Sequence, residues 1–150
     1  MRRYASTIFG DFRCAHCGYW VTSNREFSGV NNRNHCPYCL WSKHLDLFEA
    51  GDRMSACKST MRPVGLTIKR INKKYGAGGV GELMLVHQCQ ECGKLVANRI
   101  AADDDIETIL AVYRVSLVRP TQADMEPDIY LLDERHQELV YRQLLGFEYE

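Results

Sequence analysis

Seven cysteines in 150 residues, six of them in Cys-x-x-Cys pairs, constrain this chain more than any other feature. The pairs are Cys14-Ala-His-Cys17, Cys36-Pro-Tyr-Cys39 and Cys89-Gln-Glu-Cys92, and Cys57 stands alone. A two-residue gap lets two thiolates on one tight turn reach the same ion, and a second such turn closes a tetrahedral shell. Cys14, Cys17, Cys36 and Cys39 are therefore expected to hold one metal. Cys57, Cys89 and Cys92 leave a second site one ligand short, and histidine is the natural fourth. His44, close to Cys57 in the chain, is preferred for that place. His87 is the alternative, because it precedes Cys89 by two residues and shares a strand face with it. Two zinc ions are the expected complement, with iron at the same thiolates left open.

The odd cysteine count argues against a fully paired oxidised framework and for a reducing compartment, so a cytoplasmic location is expected. The first ten residues make no continuous apolar signal core, and no apolar run approaches the roughly 18 residues that span a bilayer. A 45% hydrophobic content fits one domain, or a small domain with an appendage. The spelling Cys36-Pro-Tyr-Cys39 also occurs in thiol redox centres. Such a centre needs a preceding strand of a βαβ unit, whereas here the preceding residues hold another knuckle.

Periodicity places the knuckles on strands. Phe12-Arg13 and Tyr19 to Thr22 flank the first, and Gly18 permits the left-handed backbone that follows its second ligand. Val64 to Ile68 alternates as a strand, Glu82 to Cys89 is a strand entering the third knuckle, and Lys94 to Ala97 leaves it. Cys14-x-x-Cys17-Gly18-x-x-Val21 parallels Cys89-x-x-Cys92-Gly93-x-x-Val96, two knuckles of one design. Asp103, Asp104 and Asp105 suit a helix N-terminus, with Glu107 three residues after Asp104 as in a capping box, and a helix to about Val118 follows. Residues 120–127 read as a linker. Ile129, Leu132, Leu139, Val140 and Leu144 mark a second helix stopped by Gly146, which packs on the head or docks on a partner. The expected class is α+β: zinc-ribbon-like hairpin knuckles, a few antiparallel strands and two C-terminal helices. The expected division is a two-metal domain over 1–118 and an acidic linker with a helical appendage over 119–150. Trp41 is expected in the core beside the metal.

The zero net charge conceals an asymmetry. Residues 1–100 hold 15 Lys and Arg against 7 Asp and Glu, while residues 101–150 hold 4 against 12. Arginine outnumbers lysine 13 to 6, and guanidinium suits phosphate, so the basic head points toward nucleic acid. Candidate phosphate-binding residues are Arg33, Arg62, Lys69, Arg70, Lys73 and Lys74. The glycines after Lys74 lack the spacing of a nucleotide loop, and no nucleotide cofactor is expected.

At Arg33-Asn34-His35-Cys36-Pro37 the chain resembles the bacterial RNHCP-domain family, named for that pentapeptide. The resemblance runs from Phe12 to about Leu110. It takes in Cys14-x-x-Cys17-Gly18, Cys39-Leu40-x-Ser42-x-His44-x-Asp46, Gly51-Asp52-Arg53 with Cys57, Cys89-x-x-Cys92-Gly93, and Asn98-Arg99-x-Ala101 with Asp103-Asp104. The family has no established activity, so the resemblance implies a folding unit rather than a function. The leading functional expectation is a zinc-stabilised module that binds RNA or the ribosome. The alternatives are a metal-dependent hydrolase or nuclease built on His35, His44, Asp46, Asp103 and Asp104, and an adaptor whose C-terminal helix binds a protein.

Overall fold

The computed structural model describes residues 11–22, 24, 26, 29, 33, 35–43, 59–69, 81–118 and 129–146. A hairpin of β1 (Phe12–Arg13) and β2 (Trp20–Val21) carries the first knuckle in its turn. The main sheet has the order β3-β4-β5-β6, all antiparallel, with β3 at Ser42–Lys43, β4 at Thr60–Lys69, β5 at Glu82–Cys89 and β6 at Leu95–Arg99. The expected strands are all present, and the one leaving the third knuckle starts one residue later and runs on to Arg99. In β4 the register shifts between Pro63 and Gly65. Proline has no N–H to give the ladder, and a bulge is where a sheet tolerates that loss.

β5 is buried without interruption from Leu83 to His87 because both of its faces are covered. On one face Leu83 and Leu85 join Leu66, Leu40, Ile109, Leu110 and Tyr113 in the main core. On the other, Val86 packs with Val64 and Leu95, roofed by Ile129 and Leu131.

The helix α1 (Ile106–Val118) buries Ile109, Leu110, Tyr113 and Ser116, the three-and-four spacing of one face. Its cap corrects the expected capping box. Asp105 caps it: the carboxylate accepts from the Thr108 amide at 2.9 Å and from the Thr108 hydroxyl at 2.5 Å, while Asp104 turns inward. The second helix is also shorter than its periodicity suggested. Residues 129–133 are neither helix nor strand, and the Leu132 amide donates to the Leu66 carbonyl of β4 at 2.8 Å. Asp133 then caps a short 3-10 turn (Glu134–His136) that leads into α2 (Gln137–Leu145). An aspartate accepting its own chain's following amide favours a cap over a helix interior, so Ile129 and Leu132 stand outside the helix. Gly146, at φ 77°, ends α2. Leu132 and Val140 belong to the same core as Leu66 and Ile109, so the apolar side of α2 packs on the head.

Candidate metal centre

Three knuckles share one backbone design. In the first, the Cys14 amide donates to Tyr19 O at 2.8 Å and the Gly18 amide to Cys14 O at 3.0 Å; in the second, Cys36 donates to Trp41 O at 3.0 Å and Leu40 to Cys36 O at 2.9 Å; in the third, Cys89 donates to Lys94 O at 2.9 Å and Gly93 to Cys89 O at 3.1 Å. The residue after the second cysteine is left-handed in each, with φ of 83° at Gly18, 67° at Leu40 and 79° at Gly93. Glycine adopts that conformation without strain, whereas leucine does so at a cost of roughly 1–2 kcal/mol. Leu40 is fully buried in the main core, and that burial holds it there.

The first two knuckles bring Cys14, Cys17, Cys36 and Cys39 together, with their sulfurs all within 4.8 Å of one another. Cys14 and Cys39 stand 3.5 Å apart, and Cys17 and Cys36 3.6 Å. Tetrahedral thiolates at zinc–sulfur lengths stand about 3.8 Å apart, and a disulfide would need about 2 Å, so the spacing is that of a shared ion. Amides of His16 and Cys17 point at Cys14 Sγ, at 3.3 and 3.4 Å, and that of Tyr38 points at Cys36 Sγ at 3.4 Å. Burial pushes the thiols of Cys36 and Cys39 up, and the neighbouring sulfurs add to it. At Cys14 burial acts the same way, but the amides of Cys17 and His16 outweigh it and the thiol lies below its ordinary value. Four sulfurs at this spacing resist joint ionisation unless a cation sits among them.

Beside this cluster lies a closed ionic knot. Arg33 has a side chain of zero exposure, and all five of its N–H donors are engaged. Nε donates to His35 O at 3.0 Å, and Nη1 to Thr22 O at 3.3 Å and Asp103 Oδ2 at 2.9 Å. Nη2 reaches Asp103 Oδ1 at 2.7 Å and Asp104 Oδ1 at 3.0 Å. The other oxygen of Asp104 accepts from His35 Nε2 and from the Ala101 amide, both at 2.7 Å. Pro37 completes the junction through its carbonyl, which accepts the Asp105 amide at 2.9 Å. The pentapeptide thus supplies a guanidinium clamp, its histidine partner, a metal thiolate and the anchor for α1.

Four sequence expectations change here. Arg33 is consumed internally and offers nothing to a phosphate. His35, Asp103 and Asp104 do converge, as the hydrolase alternative required, but their polar atoms are committed to one another and to Arg33 rather than to a cleft. His87 is not placed as a ligand: it is fully buried, its Nε2 donates to Leu40 O at 2.6 Å, and its Nδ1 accepts from Asn98 Nδ2 at 2.9 Å. Burial, with the His35 ring nearby, lowers the His87 pKa to about 3, so it is neutral. Trp41 is half-buried rather than core, stacked on His16 with centroids 4.0 Å apart and an interplanar angle of 3°. Cys89 is buried and Cys92 exposed in the third knuckle. Their expected co-ligands Cys57 and His44, together with Asp46, Arg70, Lys73 and Lys74, lie outside the described residues.

Short antiparallel strands bearing cysteine knuckles, two of which bring four sulfurs within 4.8 Å of one another, define a metal-binding module. The model of the RNHCP domain matches residues 9–110, and the chain belongs to that family. No curated protein and no solved structure matches it. No described helix is long and apolar enough to cross a membrane.

Proposed function

We propose that this chain is a zinc-stabilised scaffold of a reducing compartment that carries two ions and binds RNA through its basic head. The sulfur spacing of the first site supports an ion in a four-thiolate shell and carries the reading, and zinc is the expected ion. The third knuckle supports a second ion, because its backbone repeats the hydrogen bonds of the two knuckles that do converge, with Cys57 and His44 as its remaining ligands. A full thiolate shell leaves no open position for water, which favours binding over catalysis. Arg13, Lys43, Arg62 and Lys69 are exposed on the described part of the head and take the place of Arg33 in holding phosphate. Arg70, Lys73 and Lys74 extend that set.

Native mass spectrometry with elemental analysis tests the first half, with two zinc ions per chain expected. Filter binding with a labelled RNA tests the second. Affinity falls with salt, and replacing Arg62 or Lys69 by glutamine flattens the slope by about 0.7 for each phosphate that no longer meets a cation. Absence of any affinity at low salt would remove RNA as the partner.

A further inference from the structure

The surface around the first two knuckles concentrates unburied rings. Tyr19, Trp20 and Tyr38 are 62%, 51% and 56% exposed, although aromatic side chains are among those a fold gains most by burying. Their backbone is fixed: Tyr19 O accepts the Cys14 amide, Trp20 pairs with Arg13 across the hairpin, and the Tyr38 amide faces Cys36 Sγ. The Tyr19 and Tyr38 rings stand 5.0 Å apart and tilted by 46°. Next to Tyr38, whose carbonyl lies 3.4 Å from Thr108 Oγ1, opens a groove of about 230 Å³ walled by Trp41, Arg62, Thr108, Ala111 and Val115. It is smaller than the roughly 300–1,000 Å³ that encloses a whole drug-sized ligand, so it suits one ring presented by a larger molecule. Its lining includes one charged residue, the cation Arg62, and no carboxylate. Arg13 beside Trp20, and Lys43 two residues after Trp41, add exposed positive charge. Flat rings interleaved with cations complement an anionic polymer whose flat groups are free to stack.

We infer that Tyr19, Tyr38 and the Trp41-walled groove are stacking positions for unpaired bases of single-stranded RNA, with Arg62 at the adjoining phosphate. This rests on the RNA reading above and narrows it to unpaired strands, because bases within a duplex have no free faces to offer the rings.

The test uses the zinc-loaded full chain, a labelled oligouridylate, and a hairpin duplex of equal charge. The oligouridylate binds at least tenfold tighter than the duplex and quenches the tryptophan fluorescence. Tyr19→Ala and Tyr38→Ala each weaken it by about 5- to 100-fold with zinc content and far-UV circular dichroism unchanged. Ala111→Glu, at an exposed helix position, blocks the groove without touching the knuckles and has a comparable effect. Equal binding of both probes, or aromatic and groove variants within twofold of the parent, overturns the inference while leaving the RNA reading intact. No binding of either probe overturns both, and a stable dimer in sedimentation that is lost in Tyr38→Ala would assign the surface to a second copy instead.

Discussion

Asp104→Asn is the sharpest probe of the ionic knot. The change keeps shape and removes charge. Asp104 has zero side-chain exposure and takes three donors: Arg33 Nη2 at 3.0 Å, His35 Nε2 at 2.7 Å and the Ala101 amide at 2.7 Å. An amide has one accepting oxygen. If that oxygen keeps His35 and Ala101, the NH₂ group faces the guanidinium, donor against donor. Removing one partner of a buried ion pair costs about 3–5 kcal/mol, chiefly through the charge left behind. Here Asp103 still holds the guanidinium, and its 29% exposure lets water share the load, which places the cost near the lower end, about 3 kcal/mol. Asp103→Asn, at the wetter oxygen pair, costs less, about 1–2 kcal/mol. Urea unfolding of the zinc-saturated protein, followed by far-UV circular dichroism, reads both as shifts of midpoint at constant slope. In the double variant with Arg33→Met the losses fall short of additive by more than about 1 kcal/mol, since the charge that made the single change costly is gone. An Asp104→Asn loss below about 1 kcal/mol, or Asp103 proving the costlier of the two, would refute the assignment of Asp104 as the buried anchor.

Cys36→Ser removes one metal ion per chain by elemental analysis, and an unchanged content would refute the four-sulfur centre. His87 titrates at about 3 when folded against 6.5 when exposed, so the unfolded chain binds the extra proton between these values. The resulting stability is complete above pH 6.5 and is lost as pH falls toward 3, on the order of 5 kcal/mol in all. His87→Gln therefore has a shallower decline of stability across that window than the parent at the same zinc concentration, and parallel curves would disprove it. Leu40→Gly relieves roughly 1–2 kcal/mol of left-handed strain but deletes a fully buried side chain worth more, so chemical denaturation shows a net loss of about 1–4 kcal/mol. Gly18→Ala, whose added carbon meets nothing within 4 Å, loses stability through strain alone. That loss is about 1–2 kcal/mol, and a neutral result would mean the turn relaxes.

The knuckles, the strands and α1 were legible because each rests on a local signal: two-residue cysteine gaps, alternation through Val64 to Ile68, the short unbroken apolar run Leu83 to Val86, and the periodic Ile109, Leu110 and Tyr113. The ionic knot was not, because its partners lie 70 and 71 residues apart and each half has a good local explanation, hydrogen bonds to the nearby thiolates or backbone for Arg33 and a helix cap for Asp104. A surplus was the available clue. One cap uses one aspartate, and three stand together at 103–105. Leu40 was hidden for the opposite reason. Its neighbours in the design are Gly18 and Gly93, and sequence pattern alone does not tell a leucine held left-handed by its own burial from one in ordinary conformation. The short α2 is hidden because Ile129 and Leu132 satisfy helical spacing while standing before the helix, where the Leu132 amide bonds to β4 instead.

The distance along the chain between the clamp and its carboxylates bears on how the molecule is made. A ribosome releases Cys14 to Cys39 early, and all four sulfurs of the first centre are available from then on. Arg33 then waits for roughly seventy further residues before its counterions are synthesised. Until Asp103 and Asp104 are made, the four gathered sulfurs stand next to a guanidinium that lacks its two carboxylates, and the third knuckle at Cys89 and Cys92 is synthesised before those carboxylates are.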